Sequence, residues 1–370
     1  MTVVERRFNS ICQEAGLEHC DVVYGTAGER RGLTFDLSGT AGSRAEAIQH
    51  RRYLIASVTK PIVAMAVMKL VAEGRLCLSD RLPDLLPEFR KAPYRRILIR
   101  NLLTHTSGFP DMLPNNAELR AVHAPLPEFL QQTAETELEF PCATDCRYSS
   151  MGFLILGAII EKLTALPTAD YLRTAFFEPL QMHDSWLGLP DDLFEELSPT
   201  TFPCILPDWQ GAAAENADSA ARRISPTNDW NWNSRYWRTL GAPWGGMTST
   251  ARDLANFAQM ILQNGRSAIG VSVLPEVTIV ESLRNQTADI VPAAASRSWG
   301  LGWRRQWAAH PASYGDLVSQ ETAGHWGATG TTLWIDPVSG RFAVILTTTP
   351  YELSQSAIQR ISNLICSQPM

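Results

Sequence analysis

The sequence predicts an α/β protein in which both ends of the chain build one sheet and a mostly helical part is inserted between them. Segments 21–25 and 32–38 have the pattern of two short strands around a polar turn that contains glycine. Segments 331–335 and 341–348 have the same character and are joined by the turn-forming residues 336–340. Between these two pairs, apolar residues recur mainly at helical spacing. We therefore expect one α/β lobe and one helical lobe.

Helices flank and separate the strands. Residues 3–15 place apolar side chains at helical spacing, and Gly16 is a suitable stop. A long apolar helix pattern at 57–73 ends at Gly74, because glycine is favoured just past a helix C-terminus. Pro61 falls in the first turn of this helix, where a missing N–H is best tolerated. Further helices are predicted at 99–104, 126–133, 151–163, 169–177, 249–264 and 354–366, and a further strand at 301–307.

The order of these elements divides the chain into two lobes. Residues 1–60 and 240–370 are assigned to the lobe with the sheet, and residues 61–239 to the helical lobe. Residues 205–228 are rich in Ala, Asp, Asn and Ser without periodicity, which predicts a loop excursion. Clefts between lobes commonly hold small-molecule sites, so we expect the functional site between the two lobes.

The composition is that of an ordinary soluble protein. The 370 residues are 45% hydrophobic, which is enough for a large core. A net charge of −6 and a pI near 5.7 argue against a surface for nucleic acid or anionic membranes. The N-terminus lacks the apolar core of a signal peptide, and no uncharged apolar run reaches ~18–20 residues. We therefore expect a cytoplasmic protein with a small-molecule substrate, and we leave its oligomeric state open.

Seven cysteines are scattered along the chain, an odd number that suits free thiols in a reducing compartment. Cys142 and Cys146 are close together, but no second cysteine pair or histidine follows at the spacing of a zinc site. The sequence predicts neither a metal centre nor a cofactor.

The segment from Ser57 to Lys60 is the strongest indication of chemistry. Residues three apart on a helix share one face, with Cβ atoms about 5–6 Å apart, so the Lys60 amine can reach the Ser57 hydroxyl. A serine hydroxyl becomes a good nucleophile when a nearby base takes its proton. Lysine can lose its own proton and serve as that base, whereas arginine cannot. The alternative is a solvated helix start at which Ser57 is only a cap.

Tyr148 and Ser150 lie just before the helix predicted at 151–163. A tyrosine oxygen near a lysine amine can pass protons on, and a hydroxyl two residues later can join the same hydrogen-bond network. Taken alone, a packed aromatic residue beside a helix cap explains this segment better.

Segment 325–330 contains two glycines and leads into the strand predicted at 331–335. Glycine in or beside a strand allows close approach of a substrate to the backbone. Free N–H groups at that point can form half of an oxyanion hole. A glycine-rich entry to a strand, with no other role, is the alternative.

In this order and spacing, the three segments resemble those of a known family. A serine followed three residues later by a lysine is a motif of penicillin-binding proteins and β-lactamases. The chain resembles the serine hydrolases related to class C β-lactamases, which include D-alanyl-D-alanine peptidases and family VIII esterases. The resemblance implies a β-lactamase/transpeptidase-like fold, with an antiparallel sheet, flanking N- and C-terminal helices and an inserted helical lobe. Its landmarks lie at 57–61, 102–108, 148–152, 178–182, 245–253 and 325–327.

The resemblance also implies a role for each matching residue. Ser57 would be the acylated nucleophile, and Lys60 and Tyr148 would be its base system. The resting base is left open, because the two groups would titrate as a unit. The backbone N–H groups of Ser57 and Ala328 would form the oxyanion hole. The residues expected to contact the substrate are Ser150, His325, Trp326 and Gly327.

Departures from the family pattern in two motifs, together with the expected location, favour an ester or other acyl substrate over a β-lactam. The chain has no Lys-Thr-Gly motif. His325, with a reference pKa of about 6.5, stands where the family carries a permanent cation for a substrate carboxylate. Ser150 stands where the family often has asparagine, and the expected cytoplasmic location separates the protein from cell-wall substrates.

We therefore predict a serine hydrolase that acts as a carboxylesterase on small or medium acyl esters. Alternatives with the same chemistry are an acyltransferase, a D-amino-acid peptidase and a weak β-lactamase. A non-catalytic scaffold or binding protein is an alternative of a different class, although a scaffold does not need Ser57, Lys60 and Tyr148 together.

Two other features allow more than one role. His105 could suggest a Ser–His pair, but we predict a structural role because Ser57, Lys60 and Tyr148 already form a complete set. The tryptophan-rich segment 228–244 could wall an acyl pocket or could anchor a long loop to the body of the protein. Both alternatives for this segment are left open.

Overall fold

The structure, a computed structural model, describes residues 1–37, 51–195, 231–290, 298–307 and 314–369. The strands are β1 (His19–Thr26), β2 (Arg30–Asp36), β3 (Tyr53–Leu54), β4 (Trp186–Leu187), β5 (Met247–Ser249), β6 (Arg304–Arg305), β7 (Ala323–Gly327), β8 (Thr331–Asp336) and β9 (Arg341–Thr347). The helices are α1 (Val3–Glu14), α2 (Thr59–Ala72), α3 (Leu82–Leu85), α4 (Ile99–Leu103), α5 (Asn116–Ala121), α6 (Leu126–Thr133), α7 (Met151–Thr164), α8 (Thr168–Leu172), α9 (Asp191–Glu195), α10 (Arg235–Leu240), α11 (Ala251–Leu262), α12 (Glu276–Leu283) and α13 (Tyr351–Cys366). A π-helical segment at Arg173–Phe177 and 3₁₀ turns at Ala56–Val58, Pro87–Phe89 and Ala92–Tyr94 complete the elements.

Strands from both ends of the chain form one antiparallel sheet. Its order is β2-β1-β9-β8-β7-β6, and each neighbouring pair is antiparallel. The N-terminal β1 pairs with the C-terminal β9, so both chain ends meet inside the sheet. The predicted fold class is confirmed, while the lobe boundaries at residues 60 and 240 stay a prediction.

Helices cover both faces of this sheet. Side chains alternate across β9: Ile345 packs into the cluster formed with α1 and α13, whereas Val344 and Leu346 pack into the larger core that contains α2 and α11. α1 begins at Thr2, whose hydroxyl accepts from the Glu5 N–H in a reciprocal capping box. α2 is buried on nearly every side, as its almost continuous apolar sequence requires.

A second, smaller sheet has the order β3-β5-β4 and positions the start of α2. β3 ends just before the 3₁₀ turn Ala56–Val58, and the Ile55 N–H donates to the Met247 carbonyl at 3.0 Å. This bond holds the start of α2 against β5, which lies nearly 200 residues further along the chain.

The two clearest differences from the predicted elements lie at the start of α2 and at residues 301–307. α2 begins at Thr59 rather than at residue 57, and Ser57 lies in the preceding 3₁₀ turn. The predicted strand at 301–307 is reduced to β6, because Gly302 takes a left-handed φ of +76° that interrupts the extended backbone. The loop predicted at 205–228 lies outside the described residues.

The described part of the chain holds neither a metal site nor a single helix suited to a membrane. In those ranges, no group of three or more His, Cys, Asp or Glu side chains is arranged to hold a metal ion. Within the same ranges no single helix has the length and apolar character needed to cross a membrane. α7 and the following segment Thr168–Phe177 pass that test only as a pair, with a bend of 77° between them.

Candidate active site

Ser57 lines a cavity of about 680 Å³ whose wall combines residues next to the sheet with residues of the helical part. The preceding Ala56 takes a φ of +44°, a left-handed conformation that is uncommon for a residue with a side chain. Strain of this kind persists where the surrounding structure imposes it, and it is frequent at functional sites. The strained turn leaves Ser57 partly exposed toward the cavity.

Lys60 is completely buried behind Ser57. Its Nζ lies 3.2 Å from the Ser57 Oγ, donates to the Trp244 carbonyl at 2.7 Å and sits 4.6 Å from the ring centroid of Tyr148. Burial lowers the pKa of Lys60 from 10.5 to about 7, and the negative charge of Asp111 opposes that change only in part. Near neutral pH, a substantial fraction of Lys60 is therefore uncharged and able to accept a proton.

Tyr148 presents its ring to the cavity, while its hydroxyl oxygen is buried and makes no hydrogen bond of normal geometry within the described residues. Burial raises the pKa of Tyr148 well above its usual range; the charge of Asp111 adds to this, and the Ser57 hydroxyl opposes it. Tyr148 is therefore protonated at neutral pH. Of the two candidate bases, Lys60 is better suited to be the one that is free of its proton at rest.

His105 holds the backbone on both sides of Tyr148. Its carbonyl accepts from the Arg147 N–H at 3.0 Å, and its Nδ1 accepts from the Ser149 N–H at 3.1 Å. Its ring centroid lies 4.8 Å from that of Tyr148, and the residue is 1% exposed. These contacts fit the structural role that the sequence predicts for His105.

The β7–β8 hairpin is fastened to the backbone that precedes Ser57. Thr329 donates its hydroxyl to the Leu54 carbonyl at 2.6 Å, and Thr331 donates to the Ile55 carbonyl at 2.8 Å. A Cβ on Gly327 would lie 2.4 Å from the same Ile55 oxygen, which is too close for any side chain. The lack of a side chain at Gly327 therefore allows β7 to lie close to the protein's own backbone at Ile55. Gly327 is not among the residues that line the cavity, and its expected contact with the substrate stays a prediction.

The two N–H groups predicted to form the oxyanion hole are available. Ser57 and Ala328 both line the cavity, and among the described residues neither backbone N–H donates to a protein acceptor. The Tyr351 N–H donates to the Ala328 carbonyl at 2.9 Å, which fixes the orientation of that peptide. Two such N–H donors can stabilise the negative oxygen of a tetrahedral intermediate.

Ser150 hydrogen-bonds a carboxylate that the sequence analysis missed. Its hydroxyl donates to Asp111 Oδ1 at 2.6 Å, and its N–H donates to the same oxygen at 3.0 Å. Ser150 was expected to join the network of Lys60 and Tyr148; its hydroxyl instead turns to the carboxylate, which is the stronger acceptor. Asp111 is 39 residues from Ser150 along the chain, and no sequence motif predicts that the two residues are hydrogen-bonded.

A cationic side chain and two aromatic rings form another part of the cavity wall. The Arg304 guanidinium carbon lies 3.7 Å from the ring centroid of Trp326, which stacks on Tyr351 with centroids 5.3 Å apart. Beside them, burial and the positive charges of Lys60 and Arg304 hold the pKa of His325 well below its usual range. His325 is therefore neutral, and Arg304 is a cationic residue of the wall that the sequence analysis did not single out.

The described part of the tryptophan-rich segment contributes to the same cavity. Trp232, Trp237 and Trp244 all line it, and Trp237 packs edge-on against the other two at centroid distances of 5.2 and 6.2 Å. Arg120 lies 4.5 Å from the Trp237 ring. Trp237 and Trp244 are also buried in the main core, with Trp232 packed against it, so both alternatives for this segment stay open. Residues 228–230 lie outside the described ranges.

The antiparallel sheet with its helical layers, and a serine beside a buried lysine, define the class of serine hydrolases with the β-lactamase/transpeptidase fold. This chain belongs to the Beta-lactamase family, whose model matches residues 28–364.

Individual relatives have several activities in their names. A protein from Salmonella agona (strain SL483) with the provisional name D-alanyl-D-alanine carboxypeptidase is 29% identical over 315 residues, which cover 81% of this chain and 69% of that protein. The structure of a penicillin-binding protein homologue from Caulobacter crescentus matches with a TM-score of 0.75 at 19% identity, covering 98% of both chains. A family VIII carboxylesterase matches with a TM-score of 0.72 at 17% identity, covering 97% of this chain and 96% of that one.

Replacing Lys60 with methionine is expected to stabilise the fold at neutral pH. A lysine whose pKa falls from 10.5 to about 7 on folding costs on the order of 4 kcal/mol at pH 7. Losing the bond to the Trp244 carbonyl offsets part of this, which leaves a gain of about 2 kcal/mol. The unfolded chain binds the extra proton between pH 7 and 10.5, so wild-type stability rises with pH there and the gain shrinks.

Urea unfolding of both proteins at pH 6, 8 and 9.5 measures this difference. Lys69→Met, on the same helix but at a partly exposed site, is the matched control. A gain at position 60 that stays constant with pH would show that folding does not change the protonation of Lys60.

Proposed function

We propose that this protein is a carboxylesterase that forms an acyl-enzyme on Ser57 and acts on small or medium acyl esters. The observation that carries the proposal is the environment of Lys60: its Nζ is 3.2 Å from the Ser57 hydroxyl, fully buried, with a pKa of about 7. A base poised near the working pH is what general-base catalysis requires.

In the acylation step, neutral Lys60 takes the Ser57 proton while the Ser57 oxygen bonds to the ester carbonyl carbon. The carbonyl oxygen becomes negative and receives hydrogen bonds from the N–H groups of Ser57 and Ala328. The carbon–oxygen bond to the leaving alcohol then breaks, and the proton held by Lys60 passes to that alcohol directly or through the Tyr148 hydroxyl. Water next attacks the acyl carbon and gives up a proton to Lys60. The bond between that carbon and the Ser57 oxygen then breaks, Lys60 returns the proton to Ser57, and the carboxylic acid leaves.

Three features of the cavity support an uncharged acyl group. The partly exposed Trp232, backed by the buried Trp237 and Trp244, offers aromatic surface to an apolar acyl chain. His325 is neutral where the family carries a cation, and Asp111 places a negative charge in the cavity wall. A substrate carboxylate near either residue gains no ion pair from it, which argues against β-lactams.

A D-amino-acid peptidase is the second candidate. Arg304 lines the same cavity, and its guanidinium can pair with the terminal carboxylate of a peptide. The provisional name of the Salmonella agona relative points in the same direction. An amide or peptide bond would be cleaved by the same acyl-enzyme steps on Ser57.

A substrate panel tests the proposal. The wild-type protein is incubated with p-nitrophenyl esters of two- to eight-carbon acids, nitrocefin and D-alanyl-D-alanine peptides, and turnover and intact mass are recorded. We expect the highest kcat/KM with an ester and a transient mass increase equal to its acyl group.

Each other result selects an alternative. Faster turnover of the peptide or of nitrocefin would replace the esterase assignment with a peptidase or a β-lactamase. An added alcohol that appears in the product would indicate acyl transfer, and the absence of both turnover and adduct would favour a scaffold.

A further inference from the structure

The hydrogen bond at His325 Nδ1 fixes where the ring carries its proton. Nδ1 lies 2.7 Å from the backbone carbonyl oxygen of Trp326. A carbonyl oxygen can only accept a hydrogen bond, so Nδ1 is the donor and holds the hydrogen. In the neutral ring, Nε2 therefore carries a lone pair and can only accept.

Nε2 of His325 is buried and has no hydrogen-bond partner among the residues that the structure describes. The residue is 3% exposed and lines the cavity together with Ser57 and Ala328. Its ring centroid is 5.6 Å from that of Tyr148, which places it beside the reacting groups. A buried acceptor costs free energy unless it receives a hydrogen bond, so a ligand that brings a donor to it is favoured.

We infer that Nε2 of His325 is an acceptor subsite for a hydroxyl or N–H group of the substrate, so that the enzyme prefers uncharged esters that carry such a donor next to the scissile bond. A lysine at this position would offer only donors and would bind a carboxylate. The neutral histidine offers an acceptor at Nε2 and has the opposite preference.

Burial, together with nearby positive charge, keeps the His325 ring neutral. Burial lowers the pKa of His325, and the positive charges of Lys60 and Arg304 lower it further. The Trp326 carbonyl acts in the other direction, because it also accepts from the protonated ring. A proton on Nε2 would have to be buried near the Arg304 cation, and near a second cation whenever Lys60 is protonated, so the acceptor is maintained at neutral and alkaline pH.

This inference rests on the proposed esterase function and is tested with matched esters. One series varies the acyl group of p-nitrophenyl esters as propionate, 2-hydroxypropionate and 2-methoxypropionate. A second series keeps one acyl group and varies the leaving alcohol as propyl, 2-hydroxyethyl and 2-methoxyethyl. The methoxy compounds keep the oxygen but have no O–H to donate. The ratio of kcat/KM for the hydroxy and methoxy compounds therefore reports the hydrogen bond to His325.

We expect a ratio of about ten in one of the two series for the wild type, and about one for His325→Phe. His325→Gln, whose amide oxygen can still accept a hydrogen bond, should keep part of the preference for the hydroxy ester. It provides a second test of the subsite if the phenylalanine variant misfolds. A wild-type ratio near one in both series, or an unchanged ratio in His325→Phe, would refute the acceptor subsite while leaving the esterase function intact. Absence of Ser57-dependent hydrolysis would instead refute the proposed function.

Discussion

Replacing Ser57 with alanine is expected to lower kcat/KM for the best ester by about 10⁴-fold or more and to remove the acyl adduct from the mass spectrum. The reason is that the alanine side chain has no oxygen to bond to the acyl carbon, so acylation cannot begin. Lys60, Tyr148 and the N–H groups around the cavity would remain and could only assist direct attack by water.

Ser150→Ala is the matched control, because Ser150 is a second serine that lines the same cavity and its hydroxyl is bonded to Asp111. This variant should turn over more slowly yet still show the adduct. An adduct that persists in Ser57→Ala, or that is lost only in Ser150→Ala, would show that Ser57 is not the nucleophile.

The second large effect is expected from Lys60→Arg, with a loss of about 10³-fold in kcat/KM. Arginine keeps the positive charge and can still reach toward the Trp244 carbonyl, but it cannot be deprotonated in a protein. In the wild type, the neutral form of Lys60 is the active base and its pKa is about 7, so kcat/KM should rise with pH and level off above about pH 8.

Stopped-flow or plate assays from pH 5.5 to 9 measure both the loss and the profile. Lys69→Arg, on the same helix and away from the cavity, should keep the wild-type profile. An arginine variant with near wild-type activity would mean that position 60 needs only a charge, and Tyr148 would then become the candidate base.

The class of fold could be predicted because its signals are local. Short runs of strand-forming residues joined by glycine-containing turns mark β1, β2, β8 and β9, and all four belong to the same sheet. β3, β4 and β5 have two or three residues each, and they pair only because distant segments meet there. Strands so short leave no periodic pattern, so no sequence argument could place them.

The same distinction applies to the site. Ser57 and Lys60 are three residues apart, and their contact follows from helical geometry alone. Tyr148 and His325 stood out in the sequence, but their roles came from the family resemblance. Asp111 and Arg304 were missed because nothing in their local sequence connects them to the cavity. The neutral state of His325 also depends on burial and on nearby cations, which a reference pKa does not contain.

The bond from Lys60 to the Trp244 carbonyl has a practical consequence, since it joins residues 184 positions apart in the chain. In an unfolded molecule neither this carbonyl nor burial acts on the lysine, so its pKa returns to about 10.5 and the serine loses its base. An acylating fluorescent probe should therefore mark native molecules and leave unfolded ones unmarked. The extent of labelling at Ser57 would then report the folded fraction of a sample during heating, storage or refolding.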